Sequence, residues 1–228
     1  MTNDSEAEAD EDFLLQIVSV TGGVGSTTAS SGTATIAAND PPTVSIANAA
    51  DVTEGSAATF IVSLSGAPAV PLTVDFATAA GSAGAADFTA TTRTLTFNPG
   101  EATNQAVVVP TLEDSLVEPT ESFVANLSNV TNGAIGVAQG SANIFSDDVP
   151  VISISDASPI AEGSDAIFTV LLDQAPIAPV TITVTSSPGT ASGQDFSSVN
   201  TTLTFNPGEA LSQQVTCLLY TSPSPRDS

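Results

Sequence analysis

The chain has 228 residues, 41% of them apolar, with 25 acidic side chains against two basic ones and a formal charge of -23. That is enough apolar matter to bury one or two cores, while the charge repels nucleic acid and anionic lipid and attracts cations. There is no His and one Cys, so zinc, haem, iron–sulfur and Ser-His-Asp or Cys-His chemistry lack their side chains, oxygen-ligand metals remain, and Cys217 has no disulfide partner.

The chain opens on MTNDSEAEADEDFLLQIVSV, which carries acids where a signal peptide has its basic region and has an apolar run too short to span a bilayer. No direct membrane insertion is expected of this segment. The stretch EDFLLQIVSVTGG at 11–23 matches ESFVANLSNVTNG at 121–133 at an offset of 110, and Gly32 and Asn39-Asp40 match Gly140 and Asp147-Asp148 at an offset of 108. Residues 1–40 therefore read as the C-terminal part of a repeat, and Met1 as a point of truncation.

A complete repeat follows at 43–148. Its apolar and polar residues alternate in TVSIAN (43–48), ATFIVSLS (58–65), LTVDFAT (72–78), TLTF (94–97), QAVVVP (105–110) and ESFVANLSNV (121–130). Period two marks half-buried strands, and GAPAVP, NPGE and the Asn132-Gly133 pair supply turns between them. About seven short strands in roughly a hundred residues, with no helical spacing, predict an immunoglobulin-like antiparallel β-sandwich. Phe60, Phe76, Phe88, Phe97 and Phe123 are expected between its sheets.

The front of a third repeat occupies 150–217. TLTFNPGEA at 94–102 recurs unchanged at 202–210, Glu54-Gly55 recurs as Glu162-Gly163, and Asp87-Phe88 as Asp195-Phe196, all at an offset of 108. The fold class is thus all-β, with sandwiches in tandem. The last residues, 218–228, depart from the repeat and read as joined vector or adaptor sequence, with a natural linker as the alternative.

Only 12% of the chain is charged, yet the acids of the complete repeat cluster at strand ends and in loops: Glu54, Asp87, Glu113, Asp114, Glu118, Glu121, Asp147 and Asp148. Loops of a sandwich gather at its two ends. Carboxylates brought together there repel by about 1 kcal/mol at 4 Å in water and about 4 kcal/mol at an effective dielectric of 20. Calcium, which accepts six to eight oxygens in irregular geometry, suits such a group better than magnesium. The plainer reading is a solvated, solubilising surface. Paired carboxylates also serve glycoside hydrolysis, but the chain has no Trp and its one Tyr lies outside the repeat, so no enzymatic activity is expected.

The succession Glu54-Gly55, GSAGAADF at 81–88, LTFNPGE at 95–101, EDSLVEPTESF at 113–123 and Asp147-Asp148 resembles the Calx-beta domain. That resemblance implies an immunoglobulin-like sandwich whose distal loops bind calcium. The implied ligands are Glu54, Asp87, Glu113, Asp114, Glu118, Glu121, Asp147 and Asp148, with a backbone carbonyl from Leu116. Glu113 and Ser146 stand where strong sites of the family carry Asp, which implies fewer ions or weaker binding. The first repeat retains Asp4, Glu8, Glu11 and Asp40 and the third Glu162 and Asp195, so neither holds a full set.

The expected function is a calcium-stiffened structural or adhesive segment of a larger extracellular or cell-surface protein. Its expected partners are calcium ions, neighbouring repeats and other surface proteins or glycans. The alternatives are a calcium-sensing regulatory module of a membrane protein and a calcium-independent protein- or carbohydrate-binding sandwich.

Overall fold

A computed structural model describes residues 11–23, 31–36 and 40–221, and no helix occurs among them. Contacts divide the chain into two units, Met1–Asp114 with Thr120–Phe145, and Ser115–Pro119 with Ser146–Ser228.

The first unit begins with a two-stranded antiparallel sheet of β1 (Glu11–Gln16) and β2 (Ser31–Ile36). It continues with β3 (Thr43–Ile46), β4 (Val52–Thr53), β5 (Ala57–Leu64), β6 (Leu72–Ala80), β7 (Thr92–Phe97), β8 (Asn104–Pro110), β9 (Glu121–Thr131), β10 (Ala134–Ile135) and β11 (Gln139–Phe145). These nine strands form two sheets, ordered β10-β3-β5-β8 and β4-β11-β9-β6-β7. Alternation places Ala58, Phe60, Val62 and Leu64 of β5 on the inner face of one sheet. Phe123, Ala125 and Leu127 of β9 line the inner face of the other. One continuous apolar core joins the two faces.

All five expected phenylalanines are in that core. Phe123 is its centre, edge-on to Phe60 with ring centroids 5.8 Å apart and stacked on Phe88 at 4.2 Å. Offset and edge-to-face contacts of this kind add to the area term.

Two features depart from a purely antiparallel reading. β10 pairs with β3 and β11 with β4 in parallel, because the chain crosses from one sheet to the other between β3 and β4 and each short segment meets a strand running its way. β11 was also hard to see in sequence: its inward residues are Gly140, Ala142 and Ile144, two of them too small to register as a hydrophobic alternation.

A bulge interrupts the β6–β9 ladder between Thr73 and Asp75, with Asn129 in the left-handed region at φ 51°. Asp75 closes it, accepting hydrogen bonds from Thr94 Oγ1 at 2.6 Å and Asn129 Nδ2 at 2.9 Å. The Thr94 and then the Asn129 hydrogen bond hold the Asp75 carboxyl below its ordinary pKa, because both stabilise the charged form.

The second unit contains β12 (Ile152–Ile154), β13 (Asp165–Leu172), β14 (Val180–Thr185), β15 (Asn200–Phe205) and β16 (Ser212–Leu218). They form the sheets β12-β13-β16 and β14-β15. The register repeats that of the first unit: Phe168 faces Val215 as Phe60 faces Val107, and Phe196 bridges Leu219 as Phe88 bridges Thr111. Residues 218–220, whose side chains leave the repeat, thus retain its backbone pairing. Its core is smaller, built on Val170, Leu172, Phe205 and Val215.

Truncating Phe123 to Ala removes the ring on which both sheets converge and is expected to cost about 3–5 kcal/mol. Calorimetry of the full chain should show the transition of the complete repeat falling by about 12 °C or more. For Asp75 the folded pKa is depressed, so its contribution is complete above the unfolded value of about 3.9 and is lost as pH falls through the folded value. The thermal advantage of the wild type over Asp75→Asn should therefore be greatest above about pH 4 and shrink on further acidification.

Candidate functional site: a carboxylate cluster at the loop end

Glu54 follows the short β4 segment and is 8% exposed, a rare burial for a carboxylate. Its N–H donates to the carbonyl of Phe145 at 3.0 Å, which sets the turn against the end of β11. The next residue, Gly55, has φ 71°, and a Cβ there would collide with the Glu113 Oε2. The Glu-Gly pair thus does two jobs: the acid is presented, and the glycine leaves room for a second acid to lie over the turn.

The turn is held from below by polar groups that no motif in the sequence announced. Thr111, 4% exposed, donates from Oγ1 to the carbonyls of Ser56 at 3.1 Å and Thr53 at 3.3 Å. The Thr111 N–H donates to the Ser56 carbonyl at 3.0 Å. The Ser56 hydroxyl turns back on the Thr53 carbonyl. This network ties the Glu54 turn to the end of β8, immediately ahead of Glu113 and Asp114.

Asp87 sits in the tight turn between β6 and β7, where its carboxylate accepts the Gly84 N–H. Its carbonyl accepts the Leu112 N–H at 2.8 Å. Glu121 opens β9 opposite Ile144. The Ala83 N–H donates to the Ser122 carbonyl at 2.9 Å, and the Ser122 N–H donates to Ser82 Oγ at 2.9 Å. These bonds fasten the 81–88 loop beside the start of β9.

The consequence is two close carboxylate pairs, Glu54 with Asp114 and Asp87 with Glu121, each with carboxylate oxygens within 4.8 Å of one another. Like charges at that distance repel by about 0.9 kcal/mol in water and about 3.5 kcal/mol at an effective dielectric of 20. Of the two basic residues, Arg93 lies on β7 and Arg226 lies outside the described residues. The arrangement is chemically an oxygen-donor set.

The remaining candidate residues belong to the second unit. Leu116 and Glu118 lie on the 115–119 loop and Asp147 and Asp148 on the segment from 146 to 150. Ser146 Oγ donates to the Leu116 carbonyl at 3.1 Å and accepts the Asp148 N–H at 3.3 Å, so the serine that replaces a family aspartate tethers the loop rather than offering charge. The Gln174 side chain spans the same loop, accepting from Val117 N–H at 3.1 Å and donating to the Ser115 carbonyl at 2.6 Å. Asp148 Oδ2 is buried without a hydrogen-bond partner, the condition of a carboxylate oxygen that suits a cation.

In the third repeat Asp195 takes the role of Asp87, accepting the Ser192 N–H at 2.6 Å and hydroxyl at 2.9 Å. These bonds, the backbone one first, hold its carboxyl below the ordinary pKa. Asp4 and Glu8 of the first repeat lie outside the described residues, whereas Glu11 lies on β1.

Among solved structures, the chain is similar to CBD12 from CALX1.2, at 17% identity over 79% of this chain and 76% of that one, with a TM-score of 0.45. It is also similar to the apo-form Calx CBD1 domain, at 20% identity over 48% of this chain and 100% of that one, with a TM-score of 0.44. A third such structure, described as the calcium binding domain CBD12 of CALX1.1, is 18% identical over 77% of this chain and 75% of that one, with a TM-score of 0.43. No curated protein matches the chain. The Calx-beta domain family model matches residues 1–42, 38–148 and 146–219, and with the acids, glycines and sandwich in their repeat positions, this chain belongs to the Calx-beta domain family.

Proposed function

We propose that the complete repeat binds calcium through its loop-end carboxylates and acts as a structural, adhesive module of a larger extracellular or cell-surface protein. The observation that carries the reading is the gathering of Glu54 with Asp114 and Asp87 with Glu121 in a chain that has two basic residues in all. A fold that pays repulsion to bring acids together, and builds a hydrogen-bonded turn network beneath them, gains when a divalent cation enters. Calcium accommodates six to eight oxygens at about 2.3–2.6 Å in irregular geometry, carbonyls included. Glu113 of the same unit joins the proposed ligand set, and Glu118, Asp147, Asp148 and the carbonyl of Leu116 are proposed ligands within the second unit, each to be tested by substitution.

Family membership supports a binding module rather than a catalyst. Tandem repetition and the near absence of Lys and Arg support a surface setting, where calcium is abundant enough to fill sites with dissociation constants of about 0.1–1 mM. In this role the ion is a mechanical part: it removes repulsion between loops and makes the end of the sandwich rigid.

Because calcium binds the folded form, saturation at a hundredfold excess over the dissociation constant should stabilise the complete repeat by about 2.7 kcal/mol. Calorimetry of the full chain with calcium and then with chelator should show the corresponding rise and fall in melting temperature. Magnesium at the same concentration should do less. Glu54→Gln and Asp87→Asn should each remove most of the calcium-dependent shift, since each keeps the side chain's size and loses its charge. A melting temperature indifferent to calcium in the wild type would return these acids to a solvated surface.

A further inference from the structure

The two sheets of the complete repeat end in four edge strands, β10, β8, β4 and β7. β10 and β4 are two residues long, too short to template another strand. β7 and β8 have six and seven residues, and each pairs with one neighbour among the described residues. β7 reads TRTLTF, with Thr92, Thr94 and Thr96 exposed. It combines β-propensity with low charge, as strands that pair with other molecules do. In a chain of charge -23 it holds no acid, so at physiological salt, where the Debye length is about 8 Å, the chain's distant charge protects it little.

The register shows which main-chain groups this edge presents. Thr73, opposite Thr96, turns its N–H away from β7 to Thr131 Oγ1 at 3.2 Å. Thr73 and Thr96 are therefore a non-hydrogen-bonded pair, and the Thr96 carbonyl faces the open edge. Gln105 of β8 meets it there: reaching from the other sheet, its Nε2 donates to the Thr96 carbonyl at 2.6 Å. The contact recurs at an offset of 108, where Gln213 Nε2 donates to the Thr204 carbonyl at 2.7 Å. The corner joining the two strands recurs as well, with Asn98 Nδ2 on Glu101 Oε2 at 3.1 Å and Asn206 Nδ2 on Glu209 Oε2 at 3.0 Å. Arg93 places a charge near the other end of β7, a second obstacle to pairing.

We infer that Gln105 guards the β7 edge: by occupying the Thr96 carbonyl from the opposite sheet, it keeps β7 from pairing with β7 of a second copy. The excluded partner is a second copy because antiparallel pairing of one strand with itself is self-complementary and closes as a symmetric dimer. Such pairing would set the threonines of one β7 among those of the other, and facing threonines hydrogen-bond across strands. To form it, each copy must give up its Gln105 bond, and a bond of this kind weighs against the exchange by about tenfold. The device is independent of the cation reading above.

Sedimentation velocity on the full chain, with Cys217 reduced, in physiological salt and well below the melting temperature, tests this. Gln105→Met keeps the side chain's length and loses its donor, and it should self-associate at least about tenfold more strongly than the wild type. Gln105→Asn keeps the amide but falls one methylene short of Thr96. It should associate likewise, which keeps the test open where the methionine variant fails to fold. Adding Thr96→Lys to either variant should return association to the wild-type level, because a lysine on an edge strand opposes pairing without restoring the lost hydrogen bond. Calcium and chelator should give the same result. A lowered melting temperature in both Gln105 variants with no gain in association would make the bond purely a stabilising one and overturn the inference. Association that Thr96→Lys does not reverse would overturn it too, since the contact would then lie away from β7.

Discussion

The insertion of Phe123 between Phe60 and Phe88 is the contact on which the rest of the complete repeat depends. Phe60 is on one sheet, Phe123 on the other and Phe88 at the end of the 81–88 loop. Packing the three rings together therefore fixes the spacing of the sheets and the position of the loop at one stroke. Asp87 is the residue before Phe88, and Glu121 stands two residues before Phe123. The stack that closes the core also brings these carboxylates side by side.

The acidic end is thus a by-product of core geometry with a large electrostatic cost. Apolar burial of the phenylalanines, each contributing about 1.5–3 kcal/mol, outweighs a repulsion of one to a few kcal/mol per carboxylate pair. The network of Thr53, Ser56 and Thr111 ties the Glu54 turn to the end of β8, immediately ahead of Asp114. On the proposed reading, the loop end is pre-organised for calcium, because the rearrangement that binding would otherwise require has been completed in folding.

The sequence by itself determined the repeat length, the all-β class, the five core phenylalanines and the glycine of the Glu54 turn, since period-two alternation and turn chemistry are local signals repeated at a constant offset. It showed β11 poorly, because Gly140 and Ala142 pack closely without a hydrophobic signature, and it gave no sign of the parallel pairs or the Asn129 bulge. The acids were legible as candidates but not as pairs. Which carboxylate meets which depends on contacts between segments far apart along the chain, as Glu54 is from Asp114 and Asp87 from Glu121, and only tertiary packing decides those. Thr111 was silent for the same reason: its importance lies in being buried beneath a turn that the linear chain places elsewhere.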